Sequence, residues 1–194
     1  MLAGPALATT TFAQYKQLDN VDTVAFADGA LTGTGRVVEF NFLDAMPADV
    51  DGNIDAIMQF TASGLDDYSG VLSFLRVGDL ANLLTVEFSG AELFGAGTAA
   101  SFLNSDPVPG SITYTSAFID FSDATAADFS LSFSGLSSTF GSPAWTADSV
   151  GTFASDSRGI PGAIPEPATW GLMIMGFGGM GAIMRQRRSM VRLA

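Results

Sequence analysis

Apolar and polar residues alternate with a period of two through most of this chain, and this pattern restricts its fold more than any other feature. In RVVEFNFL, at 36–43, Val38, Phe40 and Phe42 fall on one side of an extended chain. A half-buried β-strand has this period, because successive side chains point to opposite faces of a sheet. Similar runs lie at 54–62, 71–77, 83–88, 111–121 and 129–134, and less regular ones at 10–18, 23–26 and 149–154.

The spacers between these runs are rich in Gly, Asp, Asn, Ser and Pro, which favour turns. The number of these alternating runs and their spacing predict an all-β fold, an antiparallel β-sandwich of about eight or nine strands over residues 9–153. The Ala-rich segment 91–103 predicts one short helix, which its two glycines weaken. Residues 154–164, ASDSRGIPGAI, lose the alternation and predict a linker.

Charge is distributed unevenly along the chain. Residues 1–164 hold four basic residues and 19 carboxylates, a net charge of −15, whereas four arginines lie in the last ten residues. Such an acidic body repels nucleic acid, so we expect no nucleic-acid partner. The uneven distribution suggests that the body and the tail work in different places.

The chain has no Cys and no His, which limits its chemistry. Disulfides, His- or Cys-dependent nucleophilic catalysis and the usual zinc and copper sites are excluded. We therefore expect that the protein is not an enzyme and needs no cofactor. One catalytic alternative stays open, a glycan-acting enzyme with a carboxylate pair drawn from Glu39, Glu87, Glu92 or an aspartate.

One segment, ADVDGNIDA, offers oxygen ligands at alternate positions around a tight turn, as Ca²⁺ requires. The candidate ligands are Asp49, Asp51, Asn53 and Asp55. The EF-hand pattern is not met, because Ile54 and Phe60 stand where it needs Gly and Glu. The pattern favours a polar hairpin turn, with calcium binding as the alternative.

Three aromatic residues, Tyr68, Tyr114 and Trp145, offer a second candidate site. If exposed, they would form a platform on which sugar rings stack. Aromatic residues in strands more often pack in the core or at its rim, which is the alternative.

The C-terminal tail contains 15 residues without a charge, from Trp170 to Met184. A helix of that length covers about 22 Å, less than the hydrocarbon core of a membrane at about 30 Å, and starting at Ala168 makes a span feasible. Five glycines and the lack of a polar face argue against a helix of a water-soluble domain. Residues 168–184 therefore predict a single transmembrane helix, and the basic tail 185–194 predicts a cytoplasmic C-terminus.

The first eight residues predict the remnant of a secretory signal peptide. Ala6-Leu7-Ala8 fits the small-residue cleavage site of such a peptide, but no basic region and almost no apolar region precede it. We therefore expect the true start of the protein upstream of Met1.

The order of features in the tail resembles the PEP-CTERM sorting signal of exopolysaccharide-producing Gram-negative bacteria, in its PEP-x-x-W variant. The residues that carry the resemblance are Pro165, Glu166, Pro167 and Trp170, then a Gly-rich apolar segment, then arginines. Gln186 interrupts the arginines, and SMVRLA extends the tail beyond the usual end. The resemblance implies an N-terminal signal peptide, export, and processing of the tail by an exosortase as a transient partner.

The resemblance also assigns roles to residues of the tail. Pro165, Glu166 and Pro167 would be the recognition motif, followed by Trp170. The transient membrane span would contain Gly176, Gly178, Gly179 and Gly181, and the stop-transfer cluster would be Arg185, Arg187 and Arg188.

Together these features predict an exported protein that spans the inner membrane before processing and then lies at the cell surface or in the extracellular polysaccharide matrix. We expect a structural or adhesive body. Two alternatives stay open for the body, a carbohydrate-binding module, with or without Ca²⁺, and the glycan-acting enzyme.

Overall fold

The computed structural model describes residues 9–19, 21–43, 46, 50–105 and 110–157, and within them it contains eleven β-strands and no helix. The strands are β1 (Thr10–Gln17), β2 (Val24–Ala27), β3 (Ala30–Gly33), β4 (Val37–Phe42), β5 (Asn53–Ser63), β6 (Tyr68–Arg76), β7 (Asn82–Ala96), β8 (Ala99–Ser105), β9 (Ile112–Thr115), β10 (Ala127–Ser134) and β11 (Ala144–Ser155). The predicted transmembrane helix, most of the linker and residues 1–8 lie outside this part of the chain.

The strands follow the alternation in the sequence. On β4 and β5, every second side chain is buried, beginning at Val38 and at Ile54. The outward positions between them carry polar residues such as Glu39 and Asp55, which remain hydrated. The period of two therefore separates a core face from a solvent face, as predicted.

Eight strands pair in a closed cycle, in which each strand has two hydrogen-bonded neighbours. The order is β1, β4, β5, β6, β7, β8, β10 and β11, and β11 pairs with β1 again. The hairpin of β2 and β3 connects β11 to β5, and β9 pairs with β7. All of these pairings are antiparallel, so the predicted all-β antiparallel class is confirmed. The described residues form 11 strands, more than the eight or nine predicted.

The sheet folds over on itself and encloses an aromatic core. Phe74 of β6 contacts Phe153 of β11 with ring centroids 5.6 Å apart, although the two strands do not pair. Tyr15 of β1 contacts the same Phe74 at 4.8 Å. Phe60 of β5 likewise lies 5.8 Å from Phe102 of β8. These contacts between strands that are not neighbours give the fold two facing layers within one continuous sheet.

The helix predicted at 91–103 is wrong. This segment forms the end of β7, a two-residue turn at Gly97 and Thr98, and the start of β8, with Ala96 paired to Ala99. Gly97 has φ of +61°, which suits the first central position of a type II′ hairpin turn. Burial of Phe102 against other strands outweighs the helix propensity of the alanines.

The predicted strands differ from the structure in further places. Of the run at 111–121, only Ile112–Thr115 is a strand. The strand β3 follows β2 through the turn at Asp28 and Gly29 and was not predicted. Finally, β11 continues to Ser155, two residues into the segment assigned to the linker.

Candidate functional site

The end of the body is fixed by hydrogen bonds immediately before the chain continues into the tail. Asp156 Oδ1 accepts hydrogen bonds from the backbone N–H groups of Thr125 at 2.8 Å and Ala126 at 2.9 Å. Its Oδ2 accepts one from the Thr125 hydroxyl at 2.6 Å. The buried Ser157 Oγ lies 2.9 Å from the carbonyl oxygen of Asp120. These hydrogen bonds attach residues 156 and 157 to the segment 120–126 of the body.

These hydrogen bonds affect the titration of Asp156. Partial burial raises the pKa of this carboxyl, but the hydrogen bonds from Thr125 and Ala126 stabilise its ionised form more, so its pKa lies below the ordinary value. A pKa that is lower in the folded than in the unfolded chain contributes stability above the unfolded pKa. That contribution is lost as the pH falls through the folded pKa.

We predict that Asp156→Asn lowers the free energy of unfolding by about 1 kcal/mol at neutral pH, because the amide loses charge-assisted hydrogen bonds that are partly screened by solvent. The difference from the wild-type protein should shrink as the pH falls below the ordinary aspartate pKa of about 3.9. Urea unfolding of the full chain across this pH range measures it. The exposed Asp67→Asn serves as the control, and a loss at Asp156 that is the same at every pH would contradict the assignment.

A buried hydroxyl chain ties β1 to β11 in the interior. The Tyr15 hydroxyl donates to Ser149 Oγ at 3.0 Å, and Ser149 Oγ lies 2.6 Å from Thr23 Oγ1. Burial raises the pKa of Tyr15, outweighing the opposite effect of its hydrogen bond to Ser149, so the phenol stays neutral. All three side chains are buried, which makes this chain a structural device of the core.

The three aromatic residues pack in the core, which is the arrangement that the sequence favoured over an exposed platform. Tyr68, Tyr114 and Trp145 expose only 4%, 5% and 3% of their surface. Tyr68 packs edge-on against Phe102, and the Tyr114 hydroxyl donates to the backbone oxygen of Asp128. These rings belong to the core and cannot stack on a ligand.

The predicted calcium ligands lie at the entry to β5. Asp51 is in the turn before the strand, and Asn53 and Asp55 are on its exposed face, whereas Asp49 lies outside the described residues. Asn41 Nδ2 donates to Asn53 Oδ1 at 2.7 Å. Within the described part of the chain, no three or more carboxylates are grouped so that they could hold a metal ion. Calcium binding therefore stays a prediction.

A groove that the sequence did not indicate crosses the outer face of β10, β11, β1, β4 and β5, with a volume of about 300 Å³. Two rows of outward side chains line it, each row following the register of the strands. The first row is Ser130, Thr152, Gln14, Asn41 and Asn53. The second row is Ser132, Val150, Lys16 and Glu39.

The three glutamates considered for catalysis are not brought together in this groove, although the register of β4 and β5 pairs Glu39 with Asp55 beside it. Glu39 lies in it, and its Oε1 forms an ion pair with Lys16 Nζ at 2.6 Å. Glu87 and Glu92 are exposed on β7 and are not part of the lining.

The residues of the predicted sorting signal all lie outside the described residues. They are Pro165, Glu166, Pro167 and Trp170, the glycines Gly176, Gly178, Gly179 and Gly181, and the arginines Arg185, Arg187 and Arg188. In the described ranges, no helix has the length and apolar character needed to cross a membrane.

Comparison with known proteins addresses this tail directly. A family model described as the PEP-CTERM protein-sorting motif matches residues 163–188. No curated protein and no solved structure matches the chain. The match covers all of the sequence features that carried the resemblance, from Pro165 to Arg188. The chain therefore carries a C-terminal PEP-CTERM sorting motif, which marks it as an exported protein subject to exosortase-type sorting.

Proposed function

We propose that this protein is delivered to the cell surface or the extracellular polysaccharide matrix of an exopolysaccharide-producing Gram-negative bacterium, where its body has a structural or adhesive role. The match of residues 163–188 to the sorting motif carries the proposal. Before processing, residues 168–184 span the inner membrane with the basic C-terminus in the cytoplasm. An exosortase then acts at the tail, and the body is released or transferred.

The composition of the tail supports a temporary span. The 17 uncharged residues at 168–184 give a helix of about 26 Å, which is short for a permanent anchor. Pro165 and Pro167 disfavour a helix at the residues that precede them, a sequence preference that suits recognition of the motif by a protease at the membrane surface. Arg185, Arg187 and Arg188 hold the end of the span at the cytoplasmic face.

The strand pairing supports a structural role for the body. Exposed strand edges invite pairing with other chains, and each of the eight strands of the cycle has neighbours on both sides. Among the described strands, β9 has a single hydrogen-bonded neighbour, β7, so few strand edges remain through which bodies concentrated at a surface could join. A structural role requires no catalytic step and no cofactor.

Carbohydrate binding is the second candidate function, and the groove across five strands favours it. Its lining consists mainly of hydroxyl and amide side chains, which match the hydroxyl groups of sugars. Assistance by Ca²⁺ at Asp49, Asp51, Asn53 and Asp55 is part of this candidate. A glycan-acting enzyme would need two carboxylates placed across a cleft, and it ranks third.

We predict that replacing Pro165, Glu166 and Pro167 by alanine abolishes processing of the tail while membrane insertion is retained, since the apolar run and the arginines are unchanged. Intact-mass spectrometry of the protein from a host with an exosortase, and from the same host without it, measures the C-terminus. The wild-type protein should lose its tail only when the enzyme is present, and the triple variant should end at Ala194 in both hosts.

A matched control is Pro161→Ala, which removes a proline of the linker and leaves the motif intact. This variant should be processed like the wild-type protein. A wild-type chain that still ends at Ala194 in the host with the enzyme would show that the tail is an unprocessed membrane anchor. That result would overturn the proposal.

A further inference from the structure

The groove presents an ordered array of hydrogen-bonding side chains. The first row brings together Ser130, Thr152, Gln14, Asn41 and Asn53 from five strands. Neighbouring strands are about 4.8 Å apart, so the row places a hydroxyl or amide group at each such step over about 19 Å. Hydroxyl and amide groups both donate and accept hydrogen bonds, as the hydroxyl groups of a sugar do.

The charge of the groove differs from that of the body around it. Among the described residues that line it, Lys16 and Glu39 are charged, and they neutralise each other in an ion pair of 2.6 Å. The body as a whole has a net charge of −15 over residues 1–164. The acidic surroundings of the groove would repel an anionic ligand, and the lining offers it no free cation. A neutral polar ligand is compatible with both the acidic surroundings and the hydrogen-bonding lining.

Peptide binding by strand addition does not suit this surface. That mode requires a strand edge with unpaired backbone N–H and C=O groups. The groove lies instead on the face of the sheet, where β10, β11, β1 and β4 each pair with neighbours on both sides. Only side chains are therefore offered to a ligand.

We propose that this groove binds a neutral, hydroxyl-rich polysaccharide chain that lies across β10, β11, β1, β4 and β5. A volume of about 300 Å³ is small for a ligand pocket and suits a segment of a polymer that continues beyond the groove at both ends. Past Ser132, the second row continues through Ser101 to the half-exposed Phe94, whose ring offers an apolar face to a longer ligand. The inference deepens the proposed function by naming the partner to which the body adheres.

The test uses the purified full chain in an amine-oxide detergent, which carries no sugar. Isothermal titration with three neutral polysaccharides, dextran, hydroxyethylcellulose and galactomannan, is compared with titration against the polyanion alginate. At least one neutral polymer should bind, and alginate should bind at least about tenfold more weakly or not at all. Binding of none of the three neutral polymers, or preference for alginate, would overturn the proposal.

A double variant of the groove, Gln14→Ala with Ser130→Ala, should weaken binding of the neutral polymer about tenfold, because each change removes hydrogen bonds to the ligand. The matched control is Gln59→Ala with Ser73→Ala, which makes the same two changes on paired residues of the outer face of β5 and β6. The control should bind like the wild-type protein, and both double variants should unfold at the wild-type urea concentration. Equal affinities of the two double variants would sink the assignment of the site.

Failure of this inference can be told apart from failure of the sorting proposal. Both double variants keep Pro165, Glu166 and Pro167, so their tails should be processed like that of the wild-type protein. Absence of polysaccharide binding with normal processing would contradict only the proposal that the groove binds a polysaccharide. Normal binding with an unprocessed tail would remove only the sorting step.

Discussion

Truncation of Phe102 to alanine is expected to lower the free energy of unfolding by about 3–5 kcal/mol. The side chain is fully buried, and its ring lies 5.5–5.9 Å from the rings of Phe60, Tyr68, Phe88 and Phe129. These neighbours come from four different strands, β5, β6, β7 and β10, and cannot all move inward to fill the space. Because a single domain has a stability of about 5–15 kcal/mol, a loss of this size populates the unfolded chain measurably.

Chemical unfolding of the full chain, followed by far-UV circular dichroism, measures this loss. Phe94 provides the control, because it lies in the same β7–β8 hairpin but is 49% exposed. Phe94→Ala should change the free energy of unfolding by less than about 1 kcal/mol. Comparable losses at Phe94 and Phe102 would show that the sheet does not enclose Phe102.

Replacement of Gly70 by alanine is expected to cost at least about 3 kcal/mol of stability, by steric conflict between β6 and β5. A Cβ atom at this position would lie 2.1 Å from the carbonyl oxygen of Thr61 and 2.7 Å from Cα of Ala62. Both atoms belong to the backbone of the paired strand and cannot rotate away. The two strands would have to separate locally and give up ladder hydrogen bonds.

Gly151→Ala is the informative comparison for this prediction. A Cβ atom there would lie 2.5 Å from Leu131 Cδ2 and from the ring carbon Cε1 of Tyr15, whereas the nearest backbone atom, the carbonyl oxygen of Ser130, would be 3.2 Å away. Side chains can adjust, so the expected loss is about 1–3 kcal/mol. The same unfolding assay measures both variants, and a greater loss at Gly151 than at Gly70 would contradict the close approach of β5 and β6.

The sequence predicted best the strands whose two faces differ clearly in polarity. In β4, β5 and β10, large apolar residues alternate with polar ones, so local sequence alone gives both the strand and its buried face. The hairpin of β7 and β8 was missed because alanines and glycines carry little such contrast, and its conformation depends on burial of Phe102 by distant strands. The short β3 is held mainly by its pairing with β2 and β5.

The sorting motif and the groove also differ in how far the local sequence specifies them. The sorting motif is linear, so residues 163–188 contain the whole signal and sequence analysis could find it. The groove joins Gln14, Asn41 and Thr152, which become neighbours only through strand register. No local pattern specifies that register, because one-residue shifts between strands are decided by packing of the buried face. From the sequence, the aromatic residues were therefore the candidate for sugar contacts, with core packing as the favoured alternative, and the structure buries them.

Closure of the strand cycle by β11 has a consequence for the time course of folding. β11 pairs with β1 and with β10. One edge of β1, the first strand of the body, therefore stays unpaired until β11, the last strand, has formed. The hydrogen bond between Tyr15 and Ser149 joins residues 134 positions apart. Folds dominated by such distant contacts form slowly, because the entropy of closing long loops is lost before the contacts are made. The body can therefore complete its fold only when the chain up to about residue 155 is available to fold. That point lies just before the sorting motif, which begins at residue 163.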